Sequence, residues 1–197
     1  MSETPYRLAV IIASNREGRF GPTVAKWFTA QVAERGDIEF DVVDLAEHPL
    51  PVSLSSDPGP EDAAALATIT PRLAEADAFV VLTPEYNHSY PATLKNLIDW
   101  HYTQWQAKPV AFVSYGGLSG GLRAVEHLRP VFAELHAVTI RETVSFHSPW
   151  GKFDDEGVHL DEAAGTAASG AAKTLLDQLG WWAVSLREAR AKRPYGA

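Results

Sequence analysis

Three short, unbroken apolar runs constrain this chain more than any other feature: Leu8–Ala13, Ala78–Leu82 and Val110–Val113. Each is too short for a buried helix and lacks the alternation of a half-exposed strand. Each therefore suits a strand covered on both faces, as a parallel sheet requires. Longer amphipathic or alanine-rich stretches lie between and beyond them: Thr23–Glu34, Glu61–Ala76, Ala92–Trp100, Gly120–Leu135 and Asp161–Leu179. Ile38–Val43 alternates and is expected nearer a sheet edge, and Val138–Ile140 is a weaker candidate for the last strand.

The order is β-α repeated about five times, which predicts a doubly wound, five-stranded parallel sheet with helices on both faces. Pro22 suits a first helical turn. Pro130 is expected to kink or end its helix, and Gly180 to end the last one. No repeat or second core is visible, so residues 1–197 read as one domain. Pro49–Pro60 reads as a loop, and the basic stretch Arg187–Pro194 as a solvated helix end and tail.

Composition closes off several kinds of chemistry. The chain has no cysteine, which excludes disulfides, thiolate nucleophiles and cysteine-bound metals, and its formal net charge is −8. An acidic protein has no overall attraction to nucleic acid or to an anionic membrane, so an anionic ligand must be held by a local group of residues. The seven histidines show no metal-ligand spacing. Met1–Leu8 lacks the pattern of a secretory signal, and the longest apolar runs are far shorter than a membrane span, so a cytoplasmic location is expected.

In a doubly wound sheet, ligands gather outside the carboxyl ends of the strands where strand order reverses. Three loops are expected to meet there. The first, Ser14–Thr23, leads into a helix. It offers Ser14, Arg16, Arg19 and the helix start Gly21-Pro22-Thr23, a natural phosphate site by its free N–H groups and positive dipole end. A plain solvated loop is the alternative, and neither the Gly-x-Gly-x-x-Gly nor the Walker pattern is present. The second loop, Thr83–Pro91, contains Pro84, Glu85, Tyr86 and Asn87. Its prolines stiffen it and its tyrosines give flat surface for a planar ring, or simply pack. The third, Ser114–Gly121, contains Ser114, Tyr115, Gly116 and Gly117, and its four glycines permit close backbone approach, or a flexible turn.

These segments resemble the NADPH-dependent FMN reductase family. The resemblance rests on Ala13-Ser14-Asn15-Arg16-x-Gly18-Arg19, on Pro84-Glu85-Tyr86-Asn87-His88-Ser89-Tyr90-Pro91-x-x-Leu94-Lys95-Asn96-x-Ile98-Asp99-Trp100, and on Ser114-Tyr115-Gly116-Gly117. It runs from about Leu8 to about Ile140 and departs at Ala13, where the family often has glycine.

The resemblance implies a flavodoxin-like fold, bound FMN rather than FAD, and NADPH or NADH as hydride donor. The acceptor would be small: a quinone, azo compound, free flavin or metal oxyanion. Ser14 and Arg16 would hold the FMN phosphate, with Arg19 and Gly21–Thr23 beside it. Glu85, Tyr86 and Asn87 would lie against the isoalloxazine ring, and Ser114–Gly117 on its other side. No catalytic triad is needed, because the cofactor carries the chemistry. Rival readings are a flavodoxin-like electron carrier, though the Thr-Gly phosphate loop of flavodoxins is absent, and a redox-sensing flavin-binding module. The resemblance also implies a homodimer or homotetramer, with Trp100, Tyr102 and Trp105 expected to face a second copy.

Overall fold

The computed structural model describes residues 4–196; Met1–Glu3, part of the segment read above as lacking a signal, lie outside the described residues. The strands are β1 (Tyr6–Ile12), β2 (Ile38–Asp44), β3 (Ala78–Pro84), β4 (Pro109–Gly116) and β5 (Val138–His147). The helices are α1 (Gly21–Ala33), α2 (Pro60–Glu75), α3 (Ala92–Trp100), α4 (Leu122–Glu134) and α5 (Glu162–Lys192). All strand pairs are parallel, in the order β2-β1-β3-β4-β5. This is the flavodoxin-like α/β architecture, and no described helix is long and apolar enough to cross a membrane.

The apolar strands serve two cores at once, because successive side chains point to opposite faces. Val10 and Ile12 join Val24 and Phe28 of α1 and Leu175 and Leu179 of α5 on one face. Ala9 and Ile11 join Ile69 of α2, Leu94 of α3 and Leu128 of α4 on the other. The alternating β2 lies at one edge, as its pattern predicts, and β5 lies at the other. β5 runs seven residues past the Val138–Ile140 core candidate, because Thr143 and Ser145 alternate with buried Val144 and Phe146.

Four expectations are corrected. Of the two effects expected of Pro130, a kink or an early end, the early end does not occur: α4 continues past it to Glu134. α5 runs through Gly180 to Lys192, since a Cβ at that glycine would lie 3.3 Å from the Tyr6 ring, and glycine lets helix and strand close up. The basic stretch is solvated only in part: Lys192, Arg193 and Pro194 are exposed, while Arg187 and Arg190 both bind Asp77. Trp105 does not face a partner. It is 0% exposed, with its ring centroid 4.6 Å from that of Phe79 and 5.4 Å from that of Phe132. Tyr102 is exposed, and Trp100 is half-buried, with its indole N–H donating to the Pro51 carbonyl at 2.7 Å.

Candidate functional site

Between β1 and β3 the strand order reverses, and the chain leaves the sheet there on both sides. The Ala13 N–H donates to the Leu82 carbonyl at 3.0 Å, and the Ala13 carbonyl accepts from Thr93 Oγ1 at 2.8 Å. The first loop is thus tied to β3 and to the start of α3. Ser14 is fully buried, and its Oγ lies 3.2 Å from the Tyr115 hydroxyl, which links the first loop to the third. Gly21 opens α1 against this pair: a Cβ there would meet Ser14 Oγ at 2.7 Å and Tyr115 OH at 3.1 Å.

The helix start is left open to an anion. No side chain caps α1, and its first turn carries no acidic residue. The backbone N–H groups of Ser14, Asn15 and Arg16 have no acceptor among the described residues. An uncapped N-terminus with unpartnered donors is what a phosphate requires.

The two arginines of this loop behave differently. Arg19 is held in place: its guanidinium makes a bidentate ion pair with Asp44, with Nη2–Oδ2 at 2.7 Å, and Nη1 also donates to the Ser14 carbonyl at 2.8 Å. That charged bond holds its pKa above the ordinary arginine range. Arg19 therefore braces the loop from beside the site. Arg16 is exposed and makes no side-chain bond to the described residues, which leaves its charge available. Asp44, at the end of β2, was not visible as a site residue from sequence. Only the register Ile12↔Asp44 brings it beside the first loop.

The second loop is a tight turn. Tyr86 and Ser89 exchange backbone bonds at 2.8 and 3.1 Å around Asn87 and His88, both at positive φ (48° and 76°). Two consecutive left-handed residues are the signature of a type I′ turn, and Asn tolerates that region well. The turn points the Asn87 and His88 N–H groups away from protein acceptors. Burial pushes the Tyr86 phenol pKa up, while the nearby Arg16 and Arg19 charges pull it back down. Tyr86 therefore stands within reach of the charges of the first loop.

Glu85 does something its sequence position did not announce. Its nearly buried carboxylate accepts from Arg123 Nε at 3.0 Å, from the Arg123 N–H at 3.2 Å and from the Ser119 hydroxyl. It joins the second loop to the third and to the first turn of α4. Ser114 is also spent inside the protein, its Oγ donating to the Gly120 carbonyl at 2.9 Å; Ser145 donates to the same oxygen at 2.8 Å. Gly121 (φ 88°) packs where a Cβ would lie 2.6 Å from Ser114 Cβ. Gly117 is exposed, a Cβ there would meet nothing within 4 Å, and its N–H has no protein acceptor. Among the glycines of this loop, Gly117 has the most open backbone.

Tyr115 adds a pH dependence. Burial pushes its phenol pKa well above the ordinary value near 10, and Tyr6 behaves likewise. A raised tyrosine pKa favours the folded state in full below pH 10, and that contribution fades as pH rises through the folded value. Denaturant titrations from pH 8 to 11 are expected to show a declining alkaline limb that Tyr115→Phe makes shallower. An unchanged limb in the variant would remove Tyr115 as a contributor.

Comparison with known proteins now adds to this geometry. The family model for NADPH-dependent FMN reductase matches residues 6–151. An NAD(P)H-dependent FMN reductase of Schizosaccharomyces pombe is 38% identical over 125 residues, covering 58% of this chain and 60% of that protein. A probable NADPH:quinone oxidoreductase of Oryza sativa subsp. japonica is 34% identical over 170 residues, covering 81% and 82%. The chain spans only about half to three fifths of the length of several curated relatives it matches. Among solved structures, the FerB flavoenzyme NAD(P)H:(acceptor) oxidoreductase of Paracoccus denitrificans superposes with a TM-score of 0.70 at 24% identity. That match covers 88% of this chain and 97% of FerB, and it shows a shared fold.

Proposed function

This chain belongs to the NADPH-dependent FMN reductase family, and on that premise we propose that it holds FMN across its three loops and passes a hydride from NADPH or NADH to a small acceptor. The observation that carries the reading is the uncapped α1 N-terminus with unpartnered N–H groups and the free Arg16 beside it. In a chain of net charge −8 this is a local exception that fits a phosphate. The open backbone of Gly117 and the turn at Asn87-His88 supply further N–H donors suited to the polar edge of a flavin.

When bound, FMN supplies a hydride carrier that no side chain of this protein can replace. The protein's own residues bind and orient. Ser14 N–H, Arg16 and the Gly21–Thr23 turn hold the phosphate, while Arg19 and Asp44 keep that loop in shape. Tyr86 and Asn87 flank the ring, and Glu85 fixes the distance between the second and third loops. Pro84, Ser114, Tyr115 and Gly116 form the wall beneath. The acceptor is a planar small molecule of the quinone or azo type, a free flavin or a metal oxyanion; the rice relative's name favours a quinone. We further infer a homodimer or homotetramer, since Val52, Leu54 and Leu118 expose apolar surface on loops near the site. A single monomeric mass by light scattering would overturn that inference.

The direct test is the visible spectrum of the purified protein followed by anaerobic addition of NADPH and of NADH. Rapid bleaching by either supports the reductase. Bound FMN that neither nicotinamide reduces would favour an electron carrier. Arg16→Ala is expected to weaken FMN binding about tenfold or more while leaving thermal stability unchanged, because a bond to a charged group contributes roughly 1.5–3 kcal/mol. An unaltered dissociation constant would take Arg16 out of the site.

A further inference from the structure

The end of the sheet opposite the three loops gathers buried and half-buried cationic side chains. Asp77, just before β3, accepts from Arg187 Nη1 and Arg190 Nη2, each at 3.2 Å, and from the Arg7 N–H at 3.1 Å. Lys108, just before β4, is only 6% exposed, and its Nζ donates to the Leu73 and Ala74 carbonyls at 2.9 and 2.8 Å. These carbonyls lie in the last turn of α2, where the helix dipole favours a cation. Lys108 and Arg190 therefore stand together near Asp77, in a chain whose net charge is −8.

Burial and mutual repulsion weigh on these groups. Burial, and then the Arg190 charge, lower the Lys108 pKa to about 8. Burial likewise lowers that of Arg190; Asp77 opposes the shift and Arg187 adds to it. Capping α2 explains two of the three Lys108 protons; Nζ also lies 5.5 Å from the Phe79 ring centroid, and the third proton has no N or O acceptor among the described residues. Arg190 donates to the Ala107 carbonyl and to Asp77, which uses two of its five N–H bonds.

Beside these groups lies a cavity of about 320 Å³. Its polar walls are Thr103, Gln104, Gln106, Lys108, Arg190 and Tyr195, and no carboxylate of the described residues lines it. The side chains of Thr103, Gln104 and Gln106 make no hydrogen bond to the described protein, so their donors are also free. We propose that this cavity is a second anion site, separate from the three loops, for a small oxyanion of the phosphate and carboxylate class. The remaining Lys108 proton and the free edge of Arg190 hold the charge, and the Gln104 and Gln106 amides complete the shell. A bound anion relieves the repulsion between Lys108 and Arg190 and braces the end of α5 against the sheet.

The test is thermal unfolding of FMN-saturated protein in inorganic phosphate or malonate, each against sodium chloride at matched ionic strength. The midpoint is expected to rise by about 5 °C and to saturate with one of these anions. Lys108→Gln is expected to abolish the rise. Gln106→Glu puts a carboxylate at the cavity wall without touching a buried bond, and is expected to abolish it also. The Gln106 variant decides the matter if Lys108→Gln does not fold. No rise in the native protein, or a rise that persists in Gln106→Glu, overturns the site. So does a rise that Arg16→Ala removes, because the anion would then be reporting on the phosphate loop.

Discussion

Trp105→Ala is expected to unfold roughly 10 °C below the native protein. Emptying a buried tryptophan site costs about 3–5 kcal/mol, and 1 kcal/mol moves the midpoint of a domain this size by about 2–4 °C. The ring packs between Phe79 and Phe132, and none of its surface reaches solvent. Its indole N–H is also buried without an acceptor, so the native residue carries a penalty of about 1–3 kcal/mol for an unmet donor. Trp105→Phe removes that donor while keeping an aromatic ring. It is therefore expected to recover most of the loss. Differential scanning calorimetry on both variants decides the point, and an alanine variant of native stability would show that the ring does not brace the core.

Gly21→Ala is expected to cut FMN affinity at least tenfold in a protein that still folds. The added methyl would lie 2.7 Å from Ser14 Oγ and 2.9 Å from Ile12 Cγ2, both closer than atoms tolerate, and 3.1 Å from Tyr115 OH, a tight contact. Both hydroxyls are buried and bonded to one another, and Ile12 sits in the sheet, so neither side yields cheaply. The α1 start must shift outward instead. Overpacking of this kind costs about 1–3 kcal/mol, and here the strain falls on the turn proposed to hold the phosphate. Fluorescence titration with FMN measures the affinity, and circular dichroism reports the fold. Native affinity in a folded Gly21→Ala protein would mean that the turn lies away from the phosphate.

Sequence showed where the three loops lie but not how each residue in them is used. Arg16 and Arg19 look equivalent in the sequence and have opposite situations in the fold, one free and one held by Asp44, which is 25 residues away from Arg19 along the chain. Glu85 lies within a motif that suggests ring contact, yet its carboxylate is occupied by Ser119 and Arg123 from the next loop and helix. Trp105 shows the same limit from the other direction, since aromatic residues suit cores and interfaces alike.

What the sequence determined by itself is the local and the periodic. Unbroken apolar runs can be stable only where both faces are covered, and their alternation with helical stretches leaves a parallel sheet as the outcome. That in turn gathers the loops after β1, β3 and β4 at one end, where the glycine, proline and arginine residues mark them. Tertiary structure decided which polar groups are spent and which remain free. A long-range partner depends on strand register and helix placement, such as Ile12↔Asp44 or the return of α5 to Asp77. Those follow from how the two cores pack, and no pattern along the chain encodes them.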